Sequence, residues 1–186
     1  PDELFDEKEK KTYLKYITKV KNTDFISNDN IEELKIKNVY IPYVNINNFL
    51  VDIFKNIDYY HFNSILIKKV FHIKNDKSFF AYVDNNKLKI IIFNKDELIF
   101  FNSYEIESET DIIYFLLLSI KEKGLEIKET QINFILDKKN DLLLEIADKF
   151  FDNFEIINDK KIDFIYSEWE LLEGTVVELG LTFPKI

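Results

Sequence analysis

The sequence predicts an α/β protein built on one mixed β-sheet. Residues 78–105 hold three short runs of β-branched, aromatic and aliphatic side chains, separated by the polar turns Asp84-Asn85-Asn86 and Asn94-Lys95-Asp96. This pattern is typical of an antiparallel meander. Helix and strand patterns then alternate, so the meander opens a β-β-β-α-β-α-β unit. Because crossovers between parallel strands are right-handed, the strand at 131–136 should lie beside the first meander strand, giving the sheet order 3-2-1-4-5.

Helices should cover both faces of this sheet. On the third strand, Ile99 and Phe101 point to one face while Leu98 and Phe100 point to the other. A strand that is apolar on both faces is typical of a sheet covered on both sides. This strand order with helices on both faces is the ribonuclease-H-like arrangement, which is repeated twice in the actin, Hsp70 and sugar-kinase superfamily.

The helices after the meander have readable ends. Ser108-Glu-Thr-Asp is a good helix start, residues 112–120 are apolar nearly all round, and Gly124 supplies a left-handed stop. An amphipathic helix is predicted over 141–151, followed by a strand over 154–157. The inward side chains of that helix should be Leu142, Leu143, Ile146 and Phe150.

Upstream of the meander, hydrophobic periodicity predicts three helices and two strands. In chain order these are a helix over about 5–19, a strand over 37–41 ended by Pro42, a helix over 46–56, a short strand over 58–62, and a helix capped by Asn63 or Ser64 that runs to residue 73. The intervening segment 22–30 is polar and turn-rich. The inward side chains of the last two helices should be Ile46, Phe49, Leu50, Ile53 and Phe54, and Ile65, Leu66, Val70 and Phe71.

The linker at residues 74–77 is the predicted internal boundary. We therefore expect residues 1–76 to be the C-terminal part of a first lobe, 77–160 to be the ribonuclease-H-like lobe, and 161–186 to be a C-terminal extension. In that extension Ser167-Glu-Trp-Glu resembles a capping box, Gly174 could stop the helical turn, and residues 175–183 could add an edge strand. Trp169, Leu171 and Leu172 either seal one end of the core or contact a partner. Because the chain begins at Pro1 and contains no Met, we expect an upstream region.

Composition argues against several classes of function. The net charge is −9 and all 25 basic residues are Lys, so the chain lacks the arginines and basic face of a nucleic-acid-binding protein. There is no Cys for disulfides, thiolate catalysis or Cys-ligated metals. No apolar run is long enough for a membrane helix and no signal peptide is visible, so we expect a cytoplasmic protein. A protein partner or a homo-oligomer is compatible with this composition.

The sequence offers weak candidates for chemistry. A phosphate loop needs glycine at a strand turn, but the glycines are Gly124, Gly174 and Gly180, so ATP hydrolysis is not expected of this chain. A metal-dependent nuclease on this fold would use carboxylates at neighbouring strand ends. Asp84, Asp111 and Asp137 could supply them, although acids at such positions are usually solvated turn residues. We therefore predict no catalytic, cofactor or metal site.

The histidines and serines do not form a site in the sequence. His61 and His72 lack a nearby Cys or carboxylates at ligand spacing, so zinc is not expected, and His61 should pack at a strand end. The candidate serines lack a Gly-x-Ser-x-Gly setting and are interpreted as caps and turn residues. They are Ser64, Ser78, Ser103 and Ser108.

Four blocks of sequence carry a family resemblance. They are Leu4-Phe5-Asp6-Glu7, Asn38-Val39-Tyr40-Ile41-Pro42, His61 followed by Ser64-Ile65-Leu66, and Phe101-Asn102-Ser103-Tyr104 followed by Asp111-Ile112-Ile113-Tyr114. Over about residues 1–158 the chain resembles the uncharacterised bacterial family called domain of unknown function 3822, which is similar in layout to actin-like pilus and secretion assembly proteins. The resemblance implies an additional N-terminal lobe before the first block. ATP-binding relatives have a long Asp-Ile-Gly-type loop after the position of Val83, whereas here Asp84 passes through two asparagines into Lys87.

We interpret the chain as a protein of unknown function and hypothesise a non-catalytic actin-like domain, a pseudoenzyme that serves as a protein-binding or scaffold module without a cofactor. One alternative is a degenerate nucleotide-binding ATPase or kinase-like enzyme whose phosphate site needs a missing N-terminal lobe. A second alternative is the metal-dependent nuclease.

Overall fold

A computed structural model describes residues 1–54, 59–136 and 138–157. These residues belong to two compact units that divide within one helix: the first unit contains Pro1–Lys69 and the second begins at Val70. The expected extension 161–186, with its features at Ser167, Trp169 and Gly174, lies outside the described residues. Within the described residues, no helix is long and apolar enough to cross a membrane.

Among the described residues, the first unit contains a small hairpin, two α-helices and the N-terminal part of a third, whose last residues belong to the second unit. The elements are α1 (Lys10–Lys15), β1 (Ser27–Ile31), β2 (Ile36–Tyr40), α2 (Val44–Phe54) and α3 (Phe62–Ile73), with 3₁₀ turns at Asp2–Leu4, Glu7–Glu9 and Glu32–Leu34. Strands β1 and β2 pair antiparallel from Ser27 opposite Tyr40 to Ile31 opposite Ile36. Of the predicted helix at 46–56, residues 55 and 56 lie outside the described residues.

The helix predicted over residues 5–19 is wrong at both ends, since α1 spans only Lys10–Lys15. Hydrogen bonds hold the residues before α1 in a different backbone conformation. Phe5 is extended (φ −87°, ψ 121°), and the Asp6 carboxylate accepts the N–H of Lys8 and caps a 3₁₀ turn. The Tyr13 hydroxyl donates to the carbonyl of Leu4 at 2.9 Å and accepts the N–H of Asp6 at 2.8 Å. Tertiary hydrogen bonds of this kind are invisible to a hydrophobic pattern.

Two strand assignments in the first unit are also wrong. The segment predicted as a polar loop contains β1, whose sequence Ser-Asn-Asp-Asn-Ile has low strand propensity but pairs along its whole length with β2. The predicted strand at 58–62 is absent over its described residues, because Tyr59 makes only an isolated bridge and Phe62 begins α3. Asp58 lies outside the described residues.

The second unit is a five-stranded mixed sheet with helices, as predicted. Its elements are β3 (Lys77–Asp84), β4 (Lys87–Asn94), β5 (Glu97–Glu105), α4 (Glu109–Glu122), β6 (Ile132–Leu136), α5 (Asp141–Ala147) and β7 (Phe154–Ile157). The strand order is β5-β4-β3-β6-β7. Strands β3, β4 and β5 are antiparallel neighbours, whereas β6 runs parallel to β3 and β7 runs parallel to β6.

The core of the second unit lies between one face of the sheet and the helices α4 and α5. Cross-strand neighbours Phe79, Ile92 and Ile132 are at most 2% exposed and belong to the same cluster as Leu116 of α4 and Leu143 of α5. The opposite face is also buried, with Phe80, Ile91 and Phe93 at 0–1% exposed. At that face the Phe71 ring, near the end of α3, lies 5.8 Å from the ring of Phe93.

The ends of α4 are as predicted, but α5 is shorter. Ser108 caps α4 in a reciprocal capping box, and Gly124 adopts the left-handed conformation (φ +62°) after its last turn. Helix α5 ends at Ala147 instead of residue 151, and the chain then tightens through hydrogen bonds from Phe150 and Phe151 to Ala147. Phe150 is therefore 50% exposed, and Phe151 is the buried aromatic residue. Leu142 is 53% exposed, so the expectation that Leu142 and Phe150 face inward is wrong.

Candidate functional site

The β3–β4 turn is the position at which the sequence resemblance implied a phosphate loop in ATP-binding relatives. Asp84 pairs in register with Lys87, leaving Asn85 and Asn86 as the whole connection. Asn85 takes a positive φ of 46°, and its side-chain amide donates to Asp84 Oδ1 at 3.0 Å. A phosphate cradle needs several backbone N–H groups converging on one point. This connection is a closed hairpin turn, with the carbonyl of Asn86 accepting the N–H of Ile106 at 2.8 Å.

Asp111, the second carboxylate considered for a nuclease, caps a helix. Its Oδ2 accepts the N–H groups of Glu107 and Ser108, both at 2.9 Å. The hydrogen bond from the Glu107 N–H, helped by those from Ser108, lowers the pKa of Asp111 below its ordinary value. Asp137 lies outside the described residues. In residues 1–54, 59–136 and 138–157, no three His, Cys, Asp or Glu side chains group closely enough to hold a metal ion.

Stability should depend on pH through Asp111. Because the folded pKa is lowered, the carboxylate stabilises α4 above the unfolded value of about 3.9 and loses that effect as the pH falls through the folded value. We expect wild type to exceed Asp111→Asn in stability at pH 6, with the difference shrinking below about pH 4. Urea denaturation between pH 2.5 and 6 measures this difference. A difference that is constant across the range would contradict the assigned role of the charge.

The first unit contains a buried carboxylate that the sequence did not reveal. Asp29 on β1 is 5% exposed; its Oδ1 accepts the Tyr40 hydroxyl at 2.8 Å and its Oδ2 accepts the His61 N–H at 2.7 Å. Burial, then the hydrogen bond to Asp29 and the negative charge of Asp29, raise the pKa of Tyr40 above its ordinary value. One side chain thus joins β1 to β2 and to the start of α3.

His61 has a capping role. Its Nδ1 accepts the N–H of Asn63 at 3.1 Å, and its carbonyl accepts the N–H groups of Ser64 and Ile65. The predicted caps Asn63 and Ser64 are therefore wrong, and His61 lies at a helix start instead of a strand end. The Ser64 hydroxyl accepts a hydrogen bond from the Asn38 side chain at 2.9 Å. His72 is exposed near the end of α3.

An open cleft of about 520 Å³ adjoins Asp29. Its lining includes Asp29, Glu32, Glu33 and three tyrosines, with Lys68 as its basic residue. The Lys68 ammonium lies 5.9 Å from the centre of the Tyr60 ring. The cleft is polar and acidic, and the two oxygens of its buried carboxylate are already occupied by Tyr40 and the His61 N–H.

Helix α2 exposes apolar side chains that were predicted to face inward. Phe49 is 63% exposed, Ile53 is 53% exposed and Phe54 is 50% exposed, whereas Asn47 is 6% exposed. The helix is apolar on most of its circumference, so periodicity alone could not select the buried side. We call the following set the α2 surface: Phe25, Ile41, Tyr43, Val44, Phe49, Val51, Ile53 and Phe54, each at least 36% exposed.

The composition of the α2 surface resembles that of an interface. Residues 38–54 contain one charged residue, Asp52, in a chain in which 32% of residues are charged. At the start of the helix, Phe25, Ile41 and Val44 line a groove of about 420 Å³. Aromatic enrichment with few charges distinguishes the centre of a protein interface from the ordinary surface.

A comparison with known protein families assigns the chain to one of them. Residues 1–154 match the family described as "Protein of unknown function (DUF3822)". The chain belongs to the DUF3822 family. The family predicted from short sequence blocks is thus confirmed, and no function is attached to it.

A solved structure shows the fold that this DUF3822 chain shares. It is the crystal structure of a Bacteroides thetaiotaomicron VPI-5482 protein described as having an actin-like ATPase fold and unknown function. The two structures match with a TM-score of 0.75 at 19% sequence identity, over 84% of this chain and 63% of the other. The DUF3822 chain therefore spans less than two thirds of that protein's length. No match was found among curated proteins.

Proposed function

We propose that this DUF3822 chain is a non-catalytic protein-binding module of ribonuclease-H-like, actin-like architecture. The observation that carries the proposal is the α2 surface, on which apolar side chains remain exposed. Exposed apolar patches on folded proteins mark sites of interaction. The partner we propose is another protein with an apolar, weakly charged docking segment, because the α2 surface offers little charge for electrostatic pairing.

The chemistry of the remaining sites supports a non-catalytic role. The β3–β4 connection is a two-residue turn without glycine, and the Asp111 carboxylate is engaged by two backbone N–H groups. Both features favour a protein-binding module over the nucleotide-binding and nuclease alternatives. We also propose that residues 1–76 form part of a first lobe, with the sheet of the second unit as a separate lobe.

The test uses a matched pair of double variants. Phe49→Gln with Ile53→Gln removes apolar area from the α2 surface, and glutamine is compatible with a helix. Tyr16→Gln with Ile17→Gln is the control, because these side chains are 87% and 84% exposed but lie outside that surface. A photo-crosslinking residue at position 49 would capture the partner in host cells, and calorimetry with the purified partner would then measure affinity.

We expect the α2 variant to lose at least about tenfold in affinity, since anchor residues at interfaces commonly contribute 2 kcal/mol or more. The control should bind as wild type does. Equal binding by both variants would contradict the proposal, as would micromolar Mg-ATP binding with turnover by wild type.

A further inference from the structure

Strand β5 ends the sheet of the second unit. It pairs with β4, and none of the other strands among the described residues lies on its far side. Its residues Asn102, Ser103 and Glu105 are exposed. The backbone N–H and C=O groups of an unpaired edge can accept a further strand.

The register identifies which groups face outward. Peptide groups of successive residues point alternately to the two sides of a strand. Lys87 pairs with Asp84 across the two-residue turn, so Ile90 directs its peptide groups to β5, where its partner is Asn102. The residues whose peptide groups face away from β4 are Phe101, Ser103 and Glu105, and we call this set the open edge.

A side-chain contact independently supports this orientation. The Ser103 N–H donates to Oδ1 of the neighbouring Asn102 at 2.8 Å, a bond that it could not make while pairing with β4. An incoming strand would replace this contact with a carbonyl oxygen. The register shift between Ile92 and Phe93 disrupts the ladder earlier in β5, so the regular part of the edge begins at Phe100.

We propose that the open edge binds an extended segment of another protein as an added strand, and that this segment carries lysine or arginine on both sides of its pairing residues. The sequence of β5, Glu-Leu-Ile-Phe-Phe-Asn-Ser-Tyr-Glu, contains no basic residue. Its two glutamates, Glu97 and Glu105, are exposed, and the exposed Glu107 follows. Basic side chains next to these acids would fix the register of the added strand.

The same charges disfavour a second copy of this chain. In the antiparallel register centred on Phe101, Glu97 of one copy lies opposite Glu105 of the other. Like charges directly opposite each other destabilise strand pairing, and each copy carries a net charge of −9. The occupant is therefore a different protein.

The experiment uses a synthetic probe as long as β5, the peptide Lys-Thr-Val-Thr-Val-Thr-Val-Thr-Lys, and the same peptide with glutamate at both ends. Fluorescence polarisation gives the affinity, and hydrogen exchange by NMR reports on the amides of the open edge. We expect the lysine-ended probe to bind at least about tenfold more tightly. It should also protect the Ser103 amide.

Two variants should change the affinity of the open edge for the probe in opposite directions. Ser103→Pro removes an outward N–H, a change that an edge strand tolerates, and should weaken binding about tenfold. Asn102→Ala removes the competing side-chain acceptor and should strengthen binding about threefold, the size of one weak hydrogen bond. Circular dichroism checks that each variant is folded, and if Ser103→Pro is not, the Asn102→Ala result decides.

Absence of binding, equal binding of the two probes, or protection that spares Ser103 would overturn the proposal. Concentration-dependent protection of the open edge without probe would also overturn it, in favour of self-pairing. The open edge lies in the second unit and the α2 surface in the first, so loss of probe binding leaves the calorimetry on α2 variants unaffected.

Discussion

Replacing Phe134 with alanine should destabilise the second unit by about 3–5 kcal/mol, the usual cost of truncating a fully buried phenylalanine. Phe134 is 0% exposed on β6, and its ring centre lies 5.9 Å from that of Phe154 in an edge-on arrangement. The neighbouring strand position in β3 is Ala81, which is too small to fill the cavity. Urea denaturation followed by circular dichroism measures the loss.

Phe150→Ala is the matched control for that measurement. Its side chain is 50% exposed after the end of α5, so truncation should cost less than about 1 kcal/mol. The helical pattern predicted that Phe150 faces inward, whereas the structure exposes it. The stability of the Phe150→Ala variant therefore tests which of the two is right. Similar losses for both variants would mean that α5 continues past Ala147.

Asp29→Ala should destabilise the first unit by about 3 kcal/mol, because it leaves the buried Tyr40 hydroxyl and the His61 N–H without their acceptor. Tyr40→Phe removes one of these bonds and should cost about half as much. Asn30→Ala, an exposed position on the same strand, should change stability by less than about 0.5 kcal/mol. Thermal unfolding of the three variants at neutral pH compares them. A loss for Asp29→Ala no larger than that for Asn30→Ala would show that the carboxylate is not structural.

The second unit was largely predictable because its signals are local. The meander strands are apolar runs joined by short polar turns, in which Asn85 (46°) and Lys95 (52°) take a positive φ; asparagine favours this conformation. Ser108 and Gly124 marked the two ends of α4 for equally local reasons. The sequence pattern predicted too great a length for α5, because Phe150 continues the helical spacing although the helix ends at Ala147.

The first unit was less predictable because polar contacts between distant residues shape it. Asp29 lies in Ser-Asn-Asp-Asn, which has the composition of a loop, and its role depends on Tyr40 and His61. One weak signal was present: Asp29 and Ile31 alternate with polar neighbours, and both are buried. On α2 the opposite difficulty arises, since apolar residues on most of the circumference conceal which side remains exposed.

The central position of β3 has a consequence for synthesis of the chain. Its pairing with β4 needs only residues up to Asn94, whereas its other neighbour, β6, pairs Phe79 with Ile132. During translation the meander can form before β6 and the helices α4 and α5 have been synthesised. During that interval the growing chain exposes β3, an apolar strand with no neighbouring strand on one of its two sides. This state favours capture by chaperones or pairing with neighbouring nascent chains.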